Sequence, residues 1–381
     1  MANKATYFLT GYPGFIGKRL ARQIAAAEPR AQLRLLVEEK RIKDAELELK
    51  ALGPKRVELL AGDVAAMHLG LAGAEYRHLC DEATHIFHLA AATDPSSPRE
   101  RAFRINVEGT RTALELAHDC RKLERFNHFS TASVSGDRVG IIAEDELEEG
   151  QGFRNAYEDS KFQGERLVRR AAATLPVTIY RPCSVVGDSG TGEVDRFDGP
   201  YALALWVSMS GGALPLPFLG EGGAPLNVVP VDFVIQAVWQ LSRDPRALGR
   251  TLHLVDPNPM STRRAYELVA EKLNRRVPRF RIPTGAANAV LRLPFWERVA
   301  GPQRVALRAV NHMAVYNCNN VLELLDGTGI RCPPLPSYLD ALVAFVREVY
   351  RRPKEVGPEA DAPPRVADPR SLPRRPRSHA Q

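Results

Sequence analysis

Short apolar runs of strand length recur along the first half of the chain, separated by stretches in which apolar residues return every three or four positions. The strand-like runs are TYFLT (6–10), LRLLV (33–37), VELLAGD (57–63), HIFHLAA (85–91), FNHFSTA (126–132) and VTIYRP (177–182). Between them, Ile16, Leu20 and Ile24 share one helix face, and Ala113, Leu116 and Ala117 form the apolar side of a later helix. The charged segment 38–53, EEKRIKDAELELKALG, predicts a solvated crossover helix. Apolar strands alternating with helices predict βαβ units and an α/β fold whose parallel sheet is covered on both faces.

After Pro182 the alternation breaks. Gly and Pro crowd residues 187–230, VDFVIQAVWQL (231–241) predicts a buried helix, and TLHLV (251–255) a strand that returns to the sheet. Residues 261–350 alternate helical runs with loops, which suits a small lobe covering a substrate. The division expected is a sheet domain over 1–186 joined by about 228–256, a substrate lobe from 187–227 and 257–350, and a tail over 351–381.

Composition narrows the class. With 381 residues, 44% hydrophobic and 25% charged, the chain has material for one large core, or for a main domain with a smaller companion. Cys80, Cys120, Cys183, Cys318 and Cys332 are odd in number, scattered and without a CxxC pair. That pattern argues against a disulfide framework or a zinc site and suits a reducing cytoplasm. The first residues, MANKATYFLTG, run straight into a strand, so no secretion leader is expected.

The net charge of +7 is unevenly placed: residues 351–381 hold eight Arg/Lys against four Asp/Glu, so this tail supplies +4 and the body +3. The tail is Pro-rich and poor in large apolar residues, which predicts a disordered, solvated end rather than a nucleic-acid surface. Residues 199–220, GPYALALWVSMSGGALPLPFLG, carry no charge, but Gly211, Gly212, Pro215 and Pro217 break the second half. An apolar wall is expected there, not a transmembrane span.

Candidate chemistry begins at TGYPGFIGKRL (10–20), where Gly11, Gly14 and Gly17 follow a strand and open a helix. In a dinucleotide turn the first glycine permits the bend, the second lets the backbone approach a pyrophosphate and the third allows close helix–strand packing. Alone, three glycines equally suit a structural corner. Downstream, Asp63 in AGDV ends the third strand, where a carboxylate can bond an adenine amino group. HLAA (88–91) leaves room for a cofactor, NVEGT (106–110) opens a helical turn at Asn106, and STASVSG (130–136) ends the fifth strand in hydroxyls.

In YEDSK, Tyr157 and Lys161 stand four apart and so project from one helix face. An ammonium beside a phenol favours the phenolate, and a phenol tuned in this way acts as general acid or base near neutral pH. Thr131 can hold a substrate oxygen. His85, His88 and His128 lie on strand patterns and read as satisfied core or strand-end residues. Each element alone has an ordinary structural use. Their fixed order, each near a strand's carboxyl end where open α/β sheets bind ligands, gives them joint weight.

TGYPGFIG, AGDV, HLAA, NVEGT, STASVSG, YEDSK and RPCSVVGD, over about residues 5–190, resemble the extended short-chain dehydrogenases/reductases. The resemblance implies a Rossmann-like doubly wound parallel sheet with a smaller, mostly C-terminal substrate lobe. It also implies a Thr131–Tyr157–Lys161 catalytic set, with Asn106 as a fourth member in a proton relay, and Lys161 bonding the nicotinamide ribose. The cofactor, NAD or NADP, is expected along Gly11, Gly14, Phe15, Ile16 and Gly17, at Glu38, Asp63 and Val64, across Leu89, Ala90 and Ala91, and against Tyr157, Lys161 and Pro182.

RPCSVVGDSGTGE (181–193) and LPLPFLGEGGAPLNVVPVDFV (214–234) are similar to the fatty-acyl and thioester reductase branch, the male-sterility type. This branch implies hydride transfer to a carbonyl on an apolar chain, an acyl-CoA or acyl-carrier thioester. The run 201–219 then either lines a tunnel for that chain or forms lobe core. Sugar-nucleotide epimerases and hydroxysteroid-type dehydrogenases share the fold; a dehydratase would carry an Asp-Glu pair where Ala132 and Ser133 stand. A non-catalytic NAD(P)-sensing module is the other alternative, although such relatives typically lose the tyrosine or lysine. A homodimer through a helix pair including the Tyr157 helix suits the fold.

Cofactor choice stays open. Glu38, 21 residues after Gly17, stands where an acid bonds a ribose 2′-hydroxyl and repels a 2′-phosphate, favouring NAD. The resembled acyl reductases generally use NADPH, and Lys40 and Arg41 stand within reach of a phosphate.

Overall fold

The computed structural model describes residues 5–49, 52–53, 56–195, 218–219, 222–274, 281–282 and 312–351. The apolar runs become strands β1 (Thr6–Thr10), β2 (Gln32–Val37), β3 (Val57–Ala61), β4 (His85–His88), β5 (Arg125–Phe129) and β7 (Val177–Pro182), joined by β11 (Thr251–Leu254). They form one parallel seven-stranded sheet in the order β11-β7-β5-β4-β1-β2-β3. The strand order reverses between β1 and β4, the switch point at which open α/β sheets bind ligands. The expected Rossmann-like doubly wound sheet is what the chain builds.

Alternation along the strands sorts side chains to two cores. Tyr7 and Leu9 face one layer with Leu33, Leu35 and Phe87, packed under Leu20 and Ile24 of α1 (Phe15–Ala27) and under the helix 231–241. Phe8, Ile86, Phe126 and Ile179 face the other, under α3 (Gly73–Glu82), α5 (Gly109–Asp119) and α6 (Ala156–Ala171). Burial on both faces is why these runs read as continuous rather than alternating apolar stretches. The crossover over 38–53 is shorter than expected: a 3₁₀ turn, Glu39–Arg41, precedes α2 (Ile42–Leu49).

A third core joins Val186 and Val228 to the helix Thr262–Lys272 and to Leu335, Tyr338, Leu342 and Val346 of the helix Leu335–Arg351. The strand Ala314–Tyr316 pairs with β6 (Gly140–Ile142), and the helix Asn319–Leu325 packs into the first core, so this part of the expected lobe sits on the main domain. The proposed tunnel run 201–219, except the short strand Phe218–Leu219, and the tail beyond Arg351 lie outside the described residues. Among the described residues no helix is long and apolar enough to cross a membrane.

Candidate functional site

At the switch point the glycine turn is built so that backbone, not side chain, faces a ligand. Gly11 has φ +80°, and a Cβ there would stand 2.8 Å from the Ala90 nitrogen and from the Leu89 carbonyl carbon. A Cβ on Gly17 would meet the Gly11 oxygen at 2.6 Å, so α1 packs directly on the turn. The Gly14 N–H donates to the Gly11 oxygen at 2.9 Å, and Gly14 starts α1 with no side-chain cap and no acid in the first turn. The first-turn N–H groups of α1, which have no carbonyl within the helix to bond, and the positive helix end suit a pyrophosphate. Phe15 and Ile16 on the first turn are partly exposed, with the Arg19 guanidinium over the Phe15 ring.

The other expected cofactor residues lie along the same edge. Leu89, Ala90 and Ala91 follow β4 and are partly exposed, where the chain has left the sheet. Val64 packs under Gly109 at the start of α5. Asp63 is ion-paired with Arg104 and also accepts the Ala65 N–H at 3.0 Å, so an adenine would meet a paired carboxylate. Glu38, half exposed at the end of β2, lies 3.0 Å from the Lys40 ammonium.

Thr131, Tyr157, Lys161 and Asn106 come together around the start of α6. Asn155 caps this helix by accepting the Glu158 N–H at 3.0 Å. The Thr131 hydroxyl lies near enough to the Tyr157 phenol to pull its proton affinity down. Thr131 also approaches the Pro182 oxygen at 3.5 Å, which puts the end of β7 at the site. The buried Lys161 ammonium donates to the Phe129 oxygen at 2.6 Å, and burial lowers it to about 8 against the opposing pull of Glu165.

The spacing of Tyr157 and Lys161 predicts a phenol lowered by the ammonium. Instead, tight surroundings raise it, and the Thr131 hydroxyl supplies the downward pull. A phenol held protonated in this way is a proton donor, the role a reduction requires.

Asn106 lies in a π turn, Arg104–Glu108, between the short helix Arg99–Phe103 and α5. Its side-chain oxygen accepts the Ala92 N–H at 2.8 Å and its amide donates to Ser160 Oγ at 2.9 Å, tying the β4 exit to α6. The Thr10 hydroxyl accepts the Leu89 and Ala90 N–H groups, both at 3.1 Å, so its proton goes to His88 Nδ1 at 3.0 Å. His88 Nε2 then donates to Thr110 Oγ1 at 3.0 Å, and Thr110 donates to the Asn106 carbonyl at 2.7 Å. One chain of hydrogen bonds thus links the glycine-turn strand to the π turn.

Residues 9–238 match the family model described as Male sterility protein. The chain belongs to this family. It is 27% identical over 285 residues to fatty acyl-CoA reductase wat of Drosophila melanogaster, covering 62% of this chain and 54% of that protein. It is 30% identical over 210 residues to a carboxylic acid reductase of Segniliparus rugosus, covering 50% of this chain and 17% of that one. The chain therefore spans about half of the Drosophila relative and a smaller part of the bacterial one.

Among solved structures, the terminal R domain from the myxalamid PKS-NRPS biosynthetic pathway superposes with TM-score 0.76 at 27% identity, over 92% of both chains. UDP-glucuronic acid 4-epimerase from Bacillus cereus, in complex with NAD, shares the fold at TM-score 0.66 and 17% identity, over 91% of this chain and 98% of that one. This male-sterility-family chain is an NAD(P)-binding protein with the fold of the extended short-chain dehydrogenases/reductases.

Around this site are residues that the sequence motifs did not mark. Glu165 is fully buried on α6 and accepts hydrogen bonds from Ser130 Oγ at 2.6 Å, Arg169 Nε at 2.9 Å and Arg181 Nη2 at 2.7 Å. Its carboxyl is held down to about 2, because the two guanidinium groups and the Ser130 hydroxyl outweigh burial. The reading of the strand histidines as satisfied holds for His88 but fails for His128. His128 stacks on His88 with ring centroids 5.5 Å apart, and neither of its nitrogens has a hydrogen-bond partner among the described residues.

These histidines predict acid sensitivity. Burial pushes His88 and His253 down to about 3 and His128 well below its ordinary value, so all three stay neutral in the fold. The unfolded chain protonates each below about pH 6.5, so each removes about 1.4 kcal/mol of stability per pH unit as pH falls from there toward the folded value. The urea midpoint should drop steadily between about pH 6.5 and about pH 5, less steeply in His128→Phe. A midpoint unchanged across that range would contradict the neutral buried histidines.

Proposed function

We propose that the chain reduces an acyl thioester carried on CoA or a carrier protein, releasing a thiol and an aldehyde. The observation that carries this reading is that Thr131 and the Tyr157 phenol neighbour each other at the same carboxyl edge of the sheet as the glycine cradle, with Ala132 and Ser133 next in sequence. Two converging hydroxyls can hold one carbonyl oxygen as charge develops on it. Ala132 and Ser133 provide no carboxyl pair for eliminating water, which argues against a dehydratase. The fatty acyl-CoA reductase and R-domain relatives support the acyl class.

A bound reduced nicotinamide supplies hydride to the carbonyl carbon. Thr131 and Tyr157 orient the carbonyl oxygen, and the Tyr157 phenol gives up its proton as the oxyanion forms. Lys161 has three N–H donors, of which one goes to Phe129, leaving the others free for a ribose hydroxyl. The hemithioacetal so formed breaks its C–S bond, its hydroxyl proton passes to the leaving sulfur, and the aldehyde remains. The test is product balance. With long-chain acyl-CoA and reduced nicotinamide, free thiol and aldehyde should appear in equal amounts; conversion of UDP-sugars with acyl-CoA untouched would favour the epimerase reading.

Glu38 and its partner Lys40 should set cofactor choice. The carboxylate disfavours a 2′-phosphate, while Lys40 at 3.0 Å offsets part of that charge. Glu38→Gln should raise the NADPH-to-NADH ratio of kcat/KM about tenfold, equivalent to about 1.4 kcal/mol. An unchanged ratio would place the selecting contact elsewhere.

A further inference from the structure

Two successive residues at the end of β5 are tied to α6 one helical turn apart. Lys161 donates to the Phe129 oxygen at 2.6 Å, and Ser130 Oγ donates to Glu165 Oε2 at 2.6 Å. Thr131 follows directly, near Tyr157 of the same helix. Arg181 holds the Glu165 carboxylate through Nε to Oε2 at 2.9 Å and Nη2 to Oε1 at 2.7 Å, and Arg169 adds a contact from α6 itself. Arg181 is in turn fixed by His253 Nε2 at 3.1 Å and the Glu146 oxygen at 2.8 Å.

A fully buried ion pair is by itself weak evidence of a stabilising role, because apolar residues of similar volume often fill such a place as well. An apolar pair, however, could neither accept the Ser130 hydroxyl nor set a negative charge one turn from Lys161. We propose that Glu165 is a positioning residue for the Thr131–Tyr157–Lys161 site: it clamps Ser130, and through it Thr131, onto α6 and keeps a negative charge beneath the Lys161 ammonium.

The surroundings of Lys161 leave this task to Glu165. His88 faces the ammonium from β4 and His128 from β5, both neutral, and the raised Tyr157 phenol lies on α6 itself. Glu165 is the acid that opposes the desolvation of Lys161, while Arg181 and Arg169 engage its carboxylate. The inference rests on the reading of Tyr157 and Lys161 as the proton-donating pair.

The test uses the full chain with Ser130→Ala, Glu165→Gln and Glu165→Asp. It combines acyl-thioester turnover across pH with an NMR titration of the Lys161 side chain, assigned through Lys161→Arg. Ser130→Ala should lower kcat about tenfold, the loss of one hydrogen bond to a charged group, with the KM for nicotinamide cofactor unchanged. Glu165→Gln should move the Lys161 titration, and the basic limb of kcat with it, down by about one pH unit, and Glu165→Asp should restore most of that shift.

An unmoved Lys161 titration in Glu165→Gln, or a Ser130→Ala kcat within about twofold of wild type, overturns the proposal. Should Glu165→Gln fail to fold, the Ser130→Ala kcat decides the proposal by itself. The NMR readout needs no turnover. A shifted titration in an enzyme inert toward thioesters overturns the reaction while sparing this inference, and thioester turnover with an unshifted titration does the reverse.

Discussion

Tyr157→Phe is expected to lower kcat for thioester reduction by at least about a hundredfold, the low end of what a positioned proton donor contributes. The substitution removes one oxygen and keeps the ring. Tyr157 is only partly buried and packs at the start of α6, whose cap at Asn155 does not involve the hydroxyl, so the fold should be unaffected. What is lost is the proton held on a raised phenol beside Thr131. Thr131 and Lys161 would still hold the substrate oxygen and the ribose, so affinity for the nicotinamide cofactor should change little. Steady-state turnover with cofactor binding followed by fluorescence checks both halves, and a kcat within about tenfold of wild type would remove Tyr157 from the chemistry.

Gly11→Ala should weaken cofactor binding by at least about a hundredfold, or about 2.7 kcal/mol. The left-handed backbone at Gly11 alone costs an alanine about 1–2 kcal/mol. The added Cβ would also lie 2.8 Å from the Ala90 nitrogen and the Leu89 carbonyl carbon, backbone atoms that cannot give way easily because the Thr10 hydroxyl holds both N–H groups. Relief requires the turn to move off β4, which carries the Gly14 N-terminus away from the pyrophosphate position. Gly150→Ala is the control: Gly150 has φ +75° with nothing within 4 Å of the added carbon, so it carries the backbone cost without the clash. It should lower the melting temperature slightly and leave cofactor affinity unchanged. Equal affinities in the two variants would show that the close approach at Gly11 does not matter.

Much of this molecule was legible in its sequence, because buried parallel strands leave an unambiguous mark. The strand expected over 177–182 is observed as Val177–Pro182, and the glycine turn falls between β1 and α1 as its spacing implied. Three strands were read too long at the same end: 57–63, 85–91 and 126–132 are observed as Val57–Ala61, His85–His88 and Arg125–Phe129. The surplus residues, 62–63, 89–91 and 130–132, leave the ladder to form the carboxyl edge of the sheet. Composition does not distinguish those two fates.

The polar network behind the site was missed because its members were read singly. Thr10, His88 and His128 occupy neighbouring strands in register, Thr10 opposite His88 and His88 opposite His128. They share strand parity with Phe8, Ile86 and Phe126, which face the helices α3, α5 and α6. Arg181 opposite His253, in phase with Ile179, is a second pair on that face. Polar residues in phase with apolar core positions near strand ends were the available signal. Period-two bookkeeping across strands, rather than motif matching, would have found Arg181 and its partner on α6. The reversal at Tyr157 has a different origin: the sequence places a cation four residues away, but only packing determines that desolvation and Thr131, rather than Lys161, set its proton affinity.

The most direct test of the account is the loss of reduced-nicotinamide absorbance when the purified chain is given NADPH or NADH with a panel of long-chain acyl-CoA and acyl-carrier thioesters. Steady, protein-dependent oxidation with at least one thioester is expected, accompanied by release of its thiol. No oxidation with any thioester, under conditions where the protein binds the nicotinamide cofactor, would contradict it.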